Sequence, residues 1–383
     1  RRGSRLESWK GKGLFHLSLP EAYRAGGRSA DVQSCNDHAF PLSRILTAGR
    51  ALVYKLRLTG SEAAPILARM ARLPLALLLA LSVRLVVPFE RSAAGERPLR
   101  VAAVQLSIHP EDLASLAAFR SRIEGLVGAC LPAEPDLILF PEYASAFLAL
   151  VPYGRQLQEE AGIEEALRRI EAREPLVGGL RELFLLNAGM AEAAARELFG
   201  GLARRHRVAL GAGTLFAAER GDRGTRLVNR ALVFGRDGEL LHAQDKVLLT
   251  EFELEALGLE AGSLDRARPF LLEGRRIGLT ICRDTYLEEW EPLLAGCDLW
   301  VDLKGSGQPF TEQARERFRY ALPARLASSG VRYGLTVCLT GRLCGLIWEG
   351  ESFLAVLGGD GRVRTAVRAA SPVGEEILLL EFQ

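Results

Sequence analysis

Two hydrophobic periods alternate along most of this chain. After residue 98, short continuously apolar runs bounded by turn residues alternate with longer segments whose apolar positions recur every three to four residues. The first pattern belongs to strands buried on both faces, the second to helices with one buried stripe. VAAVQLS (101–107) and PDLILF (135–140) predict strands, and EDLASLAAFRSRIEGLVGA (111–129) between them predicts a helix. The Ala-, Glu-, Leu- and Arg-rich region 155–200 predicts two or three helices, and RVALGAGT (207–214) a strand. LVNRALVF (227–234) and ELLHAQDKV (239–247) flank GRDG, a hairpin signal, and PFLLE and RRIGLTIC (275–282) flank Gly274 in the same way. Further on, EEWEPLLAG predicts a helix, CDLWVDLK (297–304) a strand, and TEQARERFRYALPARLASSG (311–330) one long helix. VRYGLTVCLT, a second hairpin in ESFLAVLGGDGRVRTAV (351–367), and EILLLEF (376–382) complete the strands. Strand–helix alternation mixed with hairpins calls for sheets covered by helices. Two stacked sheets with helices outside, an αββα layering, satisfy the count.

The first quarter reads differently. ERSAAGERPLR (90–100) is charged, holds Gly95 and Pro98, and reads as a linker. It divides a basic, partly helical N-terminal extension over residues 1–98 from a domain over 99–383. The extension carries 16 Lys+Arg against 7 Asp+Glu, so the formal +2 of the whole chain leaves the remainder net acidic. Docking of the extension on that acidic body is the expectation, ahead of an acidic membrane or nucleic acid. Its most apolar stretch, LPLALLLALSVRLVVPF (73–89), has eleven uncharged residues between Arg72 and Arg84. That is short for a membrane span, which needs about 20 residues, so a buried or interfacial helix is predicted and no membrane association. No secretory leader pattern is visible, and the first residue is not Met. The six cysteines form no C-x-x-C pair and no zinc-ligand cluster with histidine, which points to reduced thiols, a cytoplasmic protein and no metal.

Three abrupt strand ends carry reactive side chains. LILFPEY places Glu142 just past an apolar run that Pro141 terminates, HAQDKVLL places Lys246 at the end of a hairpin strand, and GLTICRDT places Cys282 where an apolar strand meets charge. A packing cysteine belongs inside a strand; one at its exit can meet a substrate. A thiol, mostly protonated at neutral pH, can give its proton to a carboxylate as it attacks a carbonyl carbon. An ammonium then stabilises the oxyanion, and no cofactor is needed. The histidines offer no rival base: His109 lies in a predicted loop, His206 in a basic helix end and His242 in a strand, none near a nucleophile motif. GAGT (211–214) lacks the spacing of a dinucleotide loop, and the ARRHR run reads as a solvated helix end, so no nucleic-acid partner is expected.

FPEY, DKVLLTEFE and LTICRD, in that order, resemble the carbon–nitrogen hydrolase (nitrilase) superfamily, over roughly residue 99 to the C-terminus. The resemblance implies a four-layer αββα sandwich of two mixed β-sheets flanked by helices. It implies Glu142 as general base, Lys246 as oxyanion-binding cation and Cys282 as nucleophile, with a second glutamate orienting base and lysine. Glu253 best fits that last place, and Glu251 is the alternative. Two departures concern substrate. Arg283 stands where the family usually has an aromatic residue, followed by the retained acidic Asp284, and region 155–200 is longer than usual. Arg283 and Asp284 are therefore the expected substrate-binding residues. The guanidinium either recognises a substrate carboxylate or pairs with Asp284. The implied activity is hydrolysis of a small-molecule amide or N-carbamoyl compound through a thioester. Nitrile cleavage is disfavoured, because nitrile-cleaving members usually carry Trp–Glu after the cysteine. The alternatives are N-acyl transfer to an amine and a non-catalytic binding protein that keeps the fold. Homodimers or higher homo-oligomers are implied by the resemblance only.

Overall fold

A computed structural model of the chain describes residues 82–86, 97–157, 162–221 and 224–382. Most of the 1–98 extension, with Cys35, therefore lies outside the described residues. Ser82–Val86, the described part of the 73–89 stretch expected to be helical, form the strand β1; the rest of that stretch lies outside the described residues. Val and Leu suit a pleated edge, and β1 finds a parallel partner in the last strand of the chain.

The first sheet is built on β2 (Leu99–Ile108), the short β3 (Leu137–Leu139) and β4 (Ala209–Gly221), which run parallel. The antiparallel β5 (Gly224–Phe234) and β6 (Leu240–Asp245) extend it on one side. The second sheet starts with the hairpin β7 (Phe270–Leu272) and β8 (Arg275–Ile281), followed in parallel by β9 (Leu299–Lys304) and β10 (Tyr333–Leu343). β11 (Leu346–Trp348) folds back on the end of β10, and β12 (Phe353–Leu357) and β13 (Val363–Arg368) close the far edge antiparallel. β14 (Glu376–Phe382) returns to the first sheet, between β2 and β1. The end of β10 also pairs with the end of β2, stitching the sheets together at one point.

Side-chain alternation explains why these strands are apolar throughout. Leu99, Val101 and Ala103 of β2, with Leu137 and Leu139 of β3, face Leu279, Val301 and Leu335 across the space between the sheets. The intervening Val104, Leu106 and Ile138 pack outward against helices α1 (Leu116–Cys130), α4 (Leu180–Ala195) and α5 (Gly201–His206). Between α1 and α4 lie the short α2 (Gly154–Leu157) and α3 (Ile163–Glu171). A single-turn α6 (Glu251–Glu255) follows β6. The outer face of the second sheet, with Trp300 and Cys338, is covered by α7 (Trp290–Leu294), α8 (Glu312–Arg319) and α9 (Leu322–Ser329). The result is the αββα layering expected from the pattern.

The long helix expected over 311–330 is two, α8 and α9. Pro323 has no N–H to donate to the Arg319 carbonyl and its ring crowds that turn, so the first helix stops and the second restarts. Among the described residues no helix is long and apolar enough to cross a membrane.

Candidate active site

All three strand ends singled out in the sequence converge. β3 ends at Leu139, and after Pro141 the chain places Glu142, which is fully buried. The next residue, Tyr143, takes a left-handed φ of 66°, and its N–H donates to Thr214 Oγ1 on β4 at 2.8 Å, turning the chain back. Lys246 follows β6 and is pinned there by its N–H, which donates to the Asn229 carbonyl at 2.8 Å. Glu253 is the third residue of α6 and completes a capping box with Thr250, so its helix position is set locally.

Buried Lys246 Nζ lies 2.8 Å from Glu142 Oε1 and 2.9 and 2.8 Å from the two oxygens of Glu253. Of the two glutamates considered for the second position, Glu253 is the one that meets the lysine; Glu251 is exposed. Donors from four further residues hold this cluster. Asn229 Nδ2 donates to Glu142 Oε1 at 3.1 Å and to Glu253 Oε1 at 3.0 Å, and Tyr143 Oη donates to Glu253 Oε1 at 3.0 Å. Gly305 N–H donates to Glu142 Oε2 at 2.7 Å, and Thr250 N–H to Glu253 Oε2 at 2.8 Å. Gly305 has no room for a side chain: a Cβ there would stand 2.7 Å from the Tyr143 ring.

Cys282 follows β8 in a left-handed conformation, φ 53°, which costs a non-glycine residue about 1–3 kcal/mol unless its surroundings enforce it. Three groups enforce it. Its N–H donates to Asp302 Oδ1 at 3.1 Å, and its carbonyl accepts from Thr285 Oγ1 at 2.8 Å and Lys304 Nζ at 3.3 Å. Asp302 and Lys304 form a second buried ion pair at 2.9 Å. The nucleophile candidate thus has its own cradle of side chains from β9, separate from the Glu142–Lys246–Glu253 cluster.

Electrostatics separate the two carboxylates. Burial alone would raise Glu253, but Lys246 and the donors from Thr250 and Asn229 outweigh it and hold the group below the ordinary range. Glu142, raised by burial, only partly relieved by Lys246 and raised again by the Glu253 charge, is held above it. Burial would lower Lys246, yet the two carboxylates keep it above the ordinary lysine value. Burial, then the nearby Glu142 charge, pushes the Cys282 thiol up to about 12. A neutral thiol beside a carboxylate that is easily protonated is the arrangement for proton transfer during attack.

Arg283 and Asp284 part company. Arg283 borders the cavity above Cys282 and donates from Nη1 to the Leu249 carbonyl at 3.0 Å, while its buried Nε has no partner among the described residues. Asp284 is fully buried and does not border the cavity. Its carboxylate accepts the N–H groups of Val247, Leu248 and Ile281, tying the backbone after Lys246 to the backbone before Cys282. The substrate contact expected of Asp284 is thus replaced by a positioning contact, and the Arg283–Asp284 pair is not formed. His242 is buried, stacks on Phe270, and is pushed down to about 4 by burial and by Arg268. Cys130, Cys297 and Cys338 are buried in the packing layers. Among the described residues no cluster of side chains could hold a metal ion.

The cavity has a volume of about 230 Å³. Tyr143, Cys282 and Gly305 form its reactive end, and its walls come from the segment after Tyr143, from α3, α4, the α6 region and the β10–β11 turn.

A search of curated protein sequences finds no significant match. The family model for carbon–nitrogen hydrolases matches residues 100–290, a span that contains Glu142, Lys246, Glu253 and Cys282. Among solved structures, an amidase from Nesterenkonia sp. AN1 in complex with acrylamide aligns over 77% of this chain and 94% of its own, with TM-score 0.52 and 18% identity. Nit3 of Saccharomyces cerevisiae, a nitrilase-superfamily member, aligns over 77% and 93% with TM-score 0.52 and 19% identity. A carbon–nitrogen hydrolase from Helicobacter pylori G27 covers 73% and 89%, at TM-score 0.50 and 17% identity. At such identities these neighbours speak for the fold alone. The family model carries the membership: the chain belongs to the carbon–nitrogen hydrolase, or nitrilase, superfamily.

Proposed function

We propose that this protein hydrolyses the C–N bond of an amide or N-carbamoyl compound through a thioester on Cys282. Glu142 takes the thiol proton as sulfur attacks the carbonyl carbon, and Lys246 with the N–H of Arg283 stabilises the oxyanion. Collapse of the tetrahedral intermediate breaks the C–N bond, and the amine leaves with the proton from Glu142. Water, deprotonated by Glu142, then attacks the thioester; the acid departs and the thiol is restored. Glu253, ionised throughout, holds Lys246 and takes no proton. Loss of a single oxyanion donor typically costs about 10²–10³ in rate, which is the size of effect expected for Lys246→Met.

The observation that carries this reading is two carboxylates on one buried ammonium, with their proton affinities driven apart, next to a strained cysteine at the end of a cavity. A purely structural ion pair needs neither the second carboxylate nor the adjacent thiol. A screen of amides, N-carbamoyl compounds and nitriles, read out as released ammonia or amine, tests it. Cys282→Ala is expected to abolish turnover with circular dichroism unchanged, and mass spectrometry of the quenched wild type should find an acyl adduct on Cys282. Undiminished turnover in the alanine variant would refute the assignment.

A further inference from the structure

The cavity beyond Cys282 is far more apolar than removal of a small polar amide requires. Its interior walls are Phe147, Leu167, Ile170, Leu183, Phe184 and Trp348, each less than a tenth exposed. The polar residues that border it away from Tyr143 and Cys282 are Thr250, Glu251, Arg283, Ser306 and Gln308, each exposed or half-buried and none in the buried interior. α3 makes the point most clearly. Its apolar stripe of Ala166, Leu167 and Ile170 borders this cavity, while Glu164, Glu165, Arg168 and Arg169 occupy the rest of its surface. A space walled in this way offers water few hydrogen-bond partners and is filled favourably by hydrocarbon. Acetamide or a carbamoyl group would touch only the reactive end and leave those walls unused.

We infer that the substrate carries a long or bulky apolar group attached to the scissile amide, seated between α3, α4 and the β10–β11 turn. This deepens the reading proposed above and rests on it. The apolar group is either on the acyl carbon or on the departing nitrogen, and two homologous series tell these apart: n-alkyl primary amides from acetamide to decanamide, and N-alkyl acetamides of matching length. With full-length protein, kcat/KM is expected to rise about 4-fold per methylene in one series until the cavity is full, then level off, and to stay flat in the other.

A second measurement does not depend on turnover. Calorimetric binding of the same amides to Cys282→Ala should tighten with chain length by a similar factor. Ala166→Phe, which fills part of the space, should move the plateau to shorter chains, with the melting temperature as the folding control. Leu167→Gln, which makes the wall polar at nearly constant size, is the second variant and should flatten the length dependence. Affinity and kcat/KM indifferent to length in both series, with Cys282-dependent turnover of small amides intact, would overturn this inference and leave the hydrolase reading standing. Length-dependent binding without any Cys282-dependent turnover would instead support the apolar site and remove the hydrolase reading.

Discussion

Glu142 and Glu253 are the same residue type, buried on the same ammonium, yet one is pushed toward its acid form and the other toward its base form. The difference lies in their donors. Glu253 receives two from Lys246 and two from Thr250 besides those from Asn229 and Tyr143, whereas Glu142 receives one each from Lys246, Asn229 and Gly305. This has a consequence for pH. As the proposed general base, Glu142 acts only when ionised, and its pKa is held above the ordinary value of 4.5. The active form is therefore lost as pH falls through that raised value. Cys282, pushed up to about 12, contributes no thiolate in the usual range, and Lys246 keeps its proton there. We expect kcat/KM to show one acid limb with its midpoint above 4.5 and then a plateau to about pH 10, measured across overlapping buffers. Glu142→Gln should remove that limb together with about 10²–10⁴ of the rate. An alkaline fall well below pH 10 would count against Lys246 as the oxyanion cation. The same shift has a cost to stability. Because the folded protein binds the Glu142 proton more tightly than the unfolded chain, burying the carboxylate disfavours folding above the raised pKa, and the penalty is relieved as pH drops toward 4.5.

At the scale of elements, the strand β9 holds the nucleophile turn through Asp302 and Lys304. Removing one partner of such a buried pair leaves the other uncompensated, at about 3–5 kcal/mol. Lys304→Met should therefore unfold at markedly lower denaturant concentration. The double variant with Asp302→Asn, which keeps an acceptor for the Cys282 N–H, should recover much of that loss. It should still turn over more slowly, because the Cys282 carbonyl has lost a donor. Denaturant titration and kcat on the single and double variants separate the two effects; full activity in the double variant would mean the cradle is structural only. This element also shows what the sequence could reveal. Glu142, Lys246 and Cys282 were legible because each is a reactive side chain just past an apolar run. Glu253 was reached only through the family resemblance, which left Glu251 as the alternative; the T-x-x-E cap at Thr250 marks the same residue. Asp302 and Lys304 were overlooked, though two charges at i and i+2 on one face of a wholly apolar strand are themselves a sign of a buried pair. Asn229 left no such trace, since an amide in LVNRALVF looks like ordinary alternation and its partners are reached only through space. The break at Tyr320–Ala321 was readable from Pro323 and was outvoted by helical periodicity on both sides.

For the whole molecule, the decisive fact is that the site is divided between the sheets. Glu142, Asn229 and Lys246 sit on or just after strands of the first sheet, while Cys282, Asp302, Lys304 and Gly305 belong to the second. The apolar layer between the sheets therefore sets the spacing of thiol and base together with the Gly305–Glu142 hydrogen bond and the Asp284 tether. Truncating a side chain in that layer should disturb catalysis beyond its effect on stability. Leu279→Ala, between the sheets and 2% exposed, is expected to cost about 2–5 kcal/mol. Leu126→Ala, under α1 on the outer face of the first sheet and equally buried, should cost a similar amount. A cavity between the sheets lets one half of the site shift against the other, and a displacement near 1 Å can cost about 10²-fold in rate. A cavity beneath α1 leaves both halves where they are. At a temperature where both variants are fully folded, Leu279→Ala should thus show the lower kcat/KM and Leu126→Ala should stay near wild type. Equal kinetics at equal destabilisation would mean that the β10–β2 stitch and the Asp284 tether alone keep the two halves in register, and that the inter-sheet layer contributes stability without geometry.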